Sequence, residues 1–471
     1  MNDHTRAGGD GPSTVRRWLN TIDDAPGPSA PTGPTISPRP STLAGPPTPT
    51  GTADCPCRDW ATSGAMSLTG HASGPPVLSP ASAVPLLRAA ACALQPLGAA
   101  LAHPVRVDPL ALLTGRAGAL GLTRHGRLSA GGATRLLRAA DGWCAVSLSR
   151  ADDLELLPVL LGRTDVDDPW RVLTRAVRRM PAGDLAERAQ MLGIPAAGLP
   201  PATSVPPTPW RVKRIAPPAR PVPGRRPLVV DLSLLWAGPL CADLLHQAGA
   251  RVIKVESTRR PGGTRNGKRL FYDWLHAGHE SVAVDFTTRE GRTGLAALID
   301  AADVVIEASR PRALQQLGVA PEQRTHRPGK VWLAITGYGR AHPDRVAFGD
   351  DAAVAGGLVG WTGGEPVFCA DAVADPLTGL VAGLGALASL ATGGGHLIDV
   401  AMRDVVAAFI GGPPPAAHTL HGDNGAWSVH CPRLRQTHAV LSPRPPQPRG
   451  TAPELGVDTV RVLGEVAASR R

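Results

Sequence analysis

Short apolar runs at 228–232, 252–255, 282–284, 304–306 and 331–335 recur through the second half of the chain. They are too short for helices and lack polar alternation, so each reads as a strand buried on both faces. Between them, 239–249, 289–301 and 311–317 have the mixed polarity of covering helices. The alternation predicts a Rossmann-like open parallel sheet, which binds its ligand at the strand C-termini. The first half has another rhythm. Strand-like runs at 134–137 and 143–148 flank an Asp141-Gly142 turn and predict a hairpin. Helical segments follow at 150–162, 169–180 and 185–192, the last stopped by Gly193. This is the pattern of a smaller α+β domain.

The periodicity fails where Pro and Gly accumulate. Residues 1–54 are expected to form a disordered arm, in which a short helix at 15–22 would have nothing to pack on. Such an arm is expected to be dispensable. Segment 201–225 reads as a Pro-rich linker, and 413–471 as a Pro/Gly-rich tail. Ordered units are expected at 58–200 and 226–412. These two share a stretch, ATSGAMSLTG at 61–70 against VAGGLVGWTG at 354–363. Each is followed by a Gly/Pro turn and an apolar helix, at 85–94 and 377–390, so the pair reads as an internal repeat. Residues 79–90 contain no Asp or Glu, so the first copy lacks the carboxylate of the second.

That carboxylate is Asp375, which precedes Pro376 at the start of the second apolar helix. It is either an N-cap or a nucleophile kept ionised by the helix dipole beside a glycine turn. Composition narrows the partners. The net charge of +10 points to an anionic ligand, but only Lys213, Lys254, Lys268 and Lys330 are lysines, and the arginines are scattered. Nucleic-acid binding is therefore disfavoured. The seven cysteines show no paired framework, and Cys55-Pro56-Cys57 is one residue too tight for a C-x-x-C half-site. No metal is expected, and free thiols suit a reducing cytosol. The N-terminus has no basic-then-apolar leader layout, and no run is expected to reach the ~20 apolar residues of a membrane span. The expectation is a soluble, cytoplasmic protein. After the first strand the chain reads Leu234-Leu235-Trp236-Ala237-Gly238-Pro239 instead of G-x-G-x-x-G, which disfavours a nicotinamide dehydrogenase.

Ala237-Gly238-Pro239, the segment 249–256 (GARVIKVE), 281–285 (SVAVD), 302–307 (ADVVIE), Gly337-Tyr338-Gly339, Thr362-Gly363 and Ala374-Asp375 occur in an order that resembles the family III CoA-transferases, the CaiB/BaiF group. The resemblance is continuous from about 227 to 410. It implies that Asp375 is catalytic, and that coenzyme A or an acyl-CoA is a substrate with no permanently bound cofactor. It also implies a carboxylic acid as second substrate, and a homodimer. By the same resemblance CoA would lie along Trp236-Ala237, Val284-Asp285-Phe286 and Ser309-Arg310. Gly131-Gly132 or Gly363-Gly364 would supply oxyanion-binding amides, or be plain hairpin turns. The family's order is nucleotide domain, small domain, return segment, and 443–463 in the tail resembles that C-terminal return segment. Here the piece similar to the small domain, 58–200, comes first, as in a fused or rearranged pair. Where the family often has Asn-Lys-Arg-Ser, this chain has Gly278-His279-Glu280-Ser281, which removes two cations. The racemases of the group carry a His-Asp pair where this chain has Phe348-Gly349, so two-base racemisation lacks a base. A member that binds acyl-CoA or a partner subunit without turnover is the alternative reading.

Overall fold

A computed structural model describes residues 11–25, 56–79, 83–164, 166–201, 208–220, 222, 224–410, 418–423, 425–432 and 434–469. The first helices in chain order are α1 (Gly11–Asp23), α2 (Pro56–Thr62), α3 (Ala83–Leu101) and α4 (Pro109–Leu120). The strands β1 (Thr134–Arg138), β2 (Trp143–Ser147) and β3 (Ala196–Gly198) pair antiparallel in the order β1-β2-β3. Helices α5 (Ala151–Glu155), α6 (Leu157–Leu161), α7 (Pro169–Val177) and α8 (Ala182–Met191) lie between β2 and β3 and bury Leu157, Leu173 and Leu185 against them. The expected hairpin and small α+β unit are both there. The expected helix at 150–162 is broken, with Pro158 in the first turn of the second piece.

The main sheet has seven strands. They are β4 (Trp210–Arg214), β5 (Leu228–Asp231), β6 (Arg251–Ser257), β7 (Glu280–Val284), β8 (Val304–Glu307), β9 (Val331–Thr336) and, later in the chain, β12 (His396–Ala401), in the order β4-β12-β9-β8-β5-β6-β7. All neighbours are parallel except β4, which runs antiparallel on the edge of β12. Helices α9 (Ala237–Gln247), α10 (Arg269–His276), α11 (Arg289–Ala301), α12 (Pro311–Gln316), α13 (Gly349–Ala355) and α14 (Ala374–Ala391) connect the strands, with the hairpin β10 (Gly360–Thr362) and β11 (Glu365–Val367) before α14. After β12 come α15 (Met402–Ile410), a three-stranded antiparallel sheet β13 (Thr419–Asp423), β14 (Ala426–Cys431) and β15 (Gln436–Ala439), and α16 (Thr459–Ala468). One face of the main sheet is covered by α9 and α14, the other by α11 and α16.

Five expectations need correction. Segment 201–225 is not all linker: 210–214 are the edge strand β4, with Trp210 buried. The tail carries the β13–β15 sheet and α16, whose Asp458 and Thr459 side chains accept hydrogen bonds from Ser281 N and Ala283 N at the edge strand β7. Two helices, Ala83–Leu101 and Ala374–Ala391, are long and apolar enough by length and composition to cross a membrane. Both bury more than half of that length inside the protein. Cys57 is disulfide-bonded, whereas Cys92, Cys144, Cys241, Cys369 and Cys431 are free; Cys55 lies outside the described residues.

The fifth concerns the arm. Residues 1–10 and 26–55 lie outside the described residues, but 11–23 form a helix that packs on α3 and α14. Val15, Trp18 and Ile22 recur at helical spacing and are buried. The Trp18 ring meets Phe409 at 5.8 Å and Trp210 at 6.3 Å between centroids. Trp210 Nε1 donates to Thr21 Oγ1 at 2.8 Å. Trp18→Ala is therefore expected to cost about 3–5 kcal/mol, the range for buried aromatic truncation. Chemical denaturation of the two proteins measures it, and an unchanged midpoint would restore the dispensable arm.

The repeated stretches share more than composition. α2 and α13 each lead into a glycine at φ +90°, Gly64 and Gly357. Thr69-Gly70 and Thr362-Gly363 occupy matching places, both glycines at positive φ, before α3 and α14, which pack on each other. α1 lies on α3 as α9 lies on α14, and both carry Gly-Pro in their first turn, at 11–12 and 238–239.

Candidate functional site

Asp375 is not an N-cap. The helix α14 starts one residue earlier, and its N-cap position is Val373. The carboxylate turns toward the first turn of α9, where Ala237 N donates to Oδ1 at 3.3 Å. Its other oxygen lies against Gly349, where any side chain would overlap it and the Ala372 carbonyl. The chain leading in is strained. Among the described residues, Leu235, Ala370, Ala372 and Arg435 are the non-glycine positions at positive φ, and the first three flank this site. Thr69, from the first half, accepts a hydrogen bond from Ala370 N through Oγ1 at 3.0 Å and holds the strained loop.

Around Asp375 stand Asp350, Asp351 and Asp371, with Arg116 of α4 as the cation among them. Arg116 Nη1 donates to Asp371 Oδ1 at 2.6 Å. Ala372 N donates to Asp350 at 2.9 Å, and the Ser129 and Thr134 hydroxyls also bond its carboxylate. Phe348 N donates to Asp351. Burial raises all four carboxyls, because desolvation penalises the charged form. It pushes Asp375 up to about 7, opposed by Arg116 and the Ala237 amide and assisted by Asp350 and Asp371. Asp371 is pushed up to about 6, with Arg116 again opposing. Asp371 and Arg116 are members that sequence reasoning did not single out. The one available signal was Asp371 four residues before Asp375; nothing local marks Arg116.

Of the glycine pairs, Gly131 lies at this cluster. A Cβ built there would sit 3.6 Å from Arg116 Nη2 and 4.0 Å from Asp371 Oδ1. Gly132, at φ +81°, faces open space in the same turn. Gly363 and Gly364 form the tip of the β10–β11 hairpin, where added side chains would meet nothing. The first half thus brings its glycine turn to the Arg116–Asp371 pair. Gln190 fixes that arrangement by exchanging hydrogen bonds with the Val346 backbone, and Tyr338 donates to Ala196 O.

The remaining candidate residues lie where parallel strands end. Trp236 is buried and meets Phe271 edge-on at 5.6 Å. Ala237 joins it to Asp375. At the end of β7 the side chains are spent internally: Val284 is buried, Asp285 accepts from Thr287 N at 2.8 Å, and Phe286 packs into the core of the α11 face. Ser309 and Arg310, both partly buried, follow β8. Arg310 comes within 3.5 Å of where a Gly193 side chain would stand, at the edge of the small unit. Arg312, Arg150 and Arg260 act on it as like charges, which with its burial lowers its pKa. At 278–281, His279 is buried and Glu280 pairs with Arg251, so the two missing cations are not restored locally.

Residues 227–430 match the model of CoA-transferase family III. The succinyl-CoA–D-citramalate CoA-transferase of Chloroflexus aurantiacus is 30% identical over 210 residues, 41% of this chain and 52% of that protein. A probable fatty acyl-CoA transferase of Mycobacterium tuberculosis is 33% identical over 209 residues, 40% of this chain and 52% of that one. A solved CaiB/BaiF family protein from Brucella suis aligns at a TM-score of 0.39 and 26% identity, over 45% of this chain and 66% of its own. The chain spans about half the length of the curated relatives it matches. The stretch that matches the family model, 227–430, contains both Ala237 and Asp375, the two residues joined at the candidate site.

Proposed function

We propose that the protein transfers CoA between an acyl-CoA and a carboxylic acid, with Asp375 as nucleophile. The observation that carries this reading is the Asp375 carboxylate, held by the Ala237 amide at the strand C-termini and acted on by Arg116, which lies beside the Gly131 turn. The strand order reverses direction at β5, between β6 and β8, as in doubly wound Rossmann-like sheets, and Trp236-Ala237 follow β5 at that switch. An Asp375 oxygen attacks the thioester carbonyl, forming a mixed anhydride and expelling the CoA thiolate. The thiolate then attacks the aspartyl carbonyl, forming an aspartyl-CoA thioester and releasing the donor acid. The acceptor carboxylate attacks that thioester, giving a new anhydride and the thiolate. The thiolate finally takes the acceptor acyl group and returns Asp375. A hydroxyl nucleophile would give an ester too stable to return CoA.

Each step builds negative charge on a carbonyl oxygen. In this reading the Arg116 guanidinium, beside the Gly131 turn, is the donor that meets it, while the Gly132 amide is spent on Ser129 O at 2.8 Å. The arginines near Arg310 suit the CoA phosphates. A second reading, binding without turnover, is favoured by one observation: a carboxyl with a pKa of about 7 is part-protonated at neutral pH.

One experiment separates the two. The protein is incubated with a panel of acyl-CoAs and hydroxylamine, and the peptide carrying Asp375 is examined by mass spectrometry. A hydroxamate on Asp375 is the expected product of either covalent intermediate. CoA binding without any hydroxamate across the panel sinks the transferase and leaves the binding reading.

A further inference from the structure

We propose that Cys57, His418 and Cys431 form a zinc site in the reduced chain, fastening the C-terminal sheet to the N-terminal half. The three come from separate places: the second residue of α2, the residue before β13 and the last residue of β14. Their ligand atoms all lie within 4.8 Å of one another. The backbone accounts for two of them. β13 and β14 pair with Thr419 opposite His430, so the next rung sets His418 across from Cys431. α2 packs against β14 and β15 and brings the third. Cys57 and Cys431 are buried, with Leu78 and Leu434 packed on them. Leu441 N donates to Ala61 O at 3.0 Å beside the same seam.

Two thiolates and an imidazole are the donors that zinc selects, and an apolar shell around them strengthens the bonds. They leave one tetrahedral position for a water or another small ligand. Each thiol gives up its proton as it binds, so affinity rises with pH. Cys57 is disulfide-bonded in the structure, so the metal-binding set belongs to the reduced chain. In the test, a phosphine reductant opens the disulfide. The phosphine becomes its oxide with oxygen from water, and each sulfur takes a proton. The proposal stands apart from the transferase reading, since no residue of the Asp375 site takes part.

The full-length chain is reduced with a phosphine, given zinc chloride, dialysed and analysed for metal. About one zinc per chain is expected. His418→Ala and Cys431→Ser should each weaken binding more than about a hundredfold, because even outer partners of metal ligands are worth up to that much. Cobalt(II) in place of zinc should give the intense near-ultraviolet thiolate-to-metal band. That reading needs only the unmodified chain, so it decides the matter if the variants misfold. Zinc absent from the reduced protein, no thiolate-to-cobalt band, or folded variants that bind zinc as tightly as the parent would each overturn the site.

Discussion

Asp375→Asn is expected to lower CoA transfer by on the order of a thousandfold or more and, at the same time, to stabilise the fold above neutral pH. The loss follows from removing the nucleophile while keeping its shape. The gain follows from linkage. The native carboxyl is raised from 3.8 to about 7, so between those values the folded protein holds a proton that the unfolded chain has released. Stability contributed by this group therefore falls as pH rises through that window and stays low above it. The amide does not titrate and removes the slope. Allowing for the partial exposure of Asp375, the gain at pH 8 is about 1–3 kcal/mol. Denaturation at pH 5 and pH 8 measures it: the gap between the variant and the parent should widen from the lower pH to the higher. Equal pH dependence in the two proteins would mean that the carboxyl is not raised. Activity retained by a folded variant would remove the nucleophile assignment.

The same balance predicts the acid limb of the rate. An Asp375 nucleophile needs its ionised form, so transfer should rise with pH toward a midpoint near 7. Arg116 opposes the upward shift, so Arg116→Gln should move that limb to higher pH as well as lower the maximum. A residue with only a packing role would change the height of the profile and leave its midpoint in place.

What could be read from the chain depended on how local each feature is. Strands β5 to β9 were legible because a strand covered on both faces needs an uninterrupted apolar run. β12 escaped because its run, His396 to Ala401, contains His396 and Asp399. The first of these is buried and bonded to Ser389, and the second accepts from Arg340 N. β4 escaped because prolines flank it and its edge position lets charged residues alternate with Trp210 and Val212. α1 has a helical apolar stripe, but its partners are Phe409 and Trp210, hundreds of residues away. Asp375 was legible because it stands at the head of a long apolar helix. Arg116 and Asp371 were not, because a single charged residue shows nothing until the partner it meets across the fold is known.

Cutting the chain at 207 should give two inactive pieces that recover activity when mixed. The piece 208–471 keeps Asp375, β4 and the whole main sheet, yet it loses three things that the first half supplies. The first is cover: α3 and α1 pack directly on α14, and without them Leu377, Leu380 and Leu384 lose apolar neighbours. The second is Thr69, which holds the strained backbone at Ala370. The third is charge: without Arg116 only the Ala237 amide opposes the rise of Asp375, and Asp371 loses the cation that opposes its own, among four crowded carboxyls. The piece 1–207 keeps the small unit, the Gly131 turn and Arg116, but its repeat of the Asp375 helix has no acid between 79 and 90. Neither piece holds a nucleophile and its electrostatic partner together. Each exposes an apolar face that the other buries, so mixing should drive association through α3 and α14. The readout is transfer activity of each piece, of the mixture, and of a mixture in which 1–207 carries Arg116→Gln. The last should recover the complex on a sizing column but not the rate. Full activity from 208–471 alone would show that the first half is an appendage and that the site is complete without it.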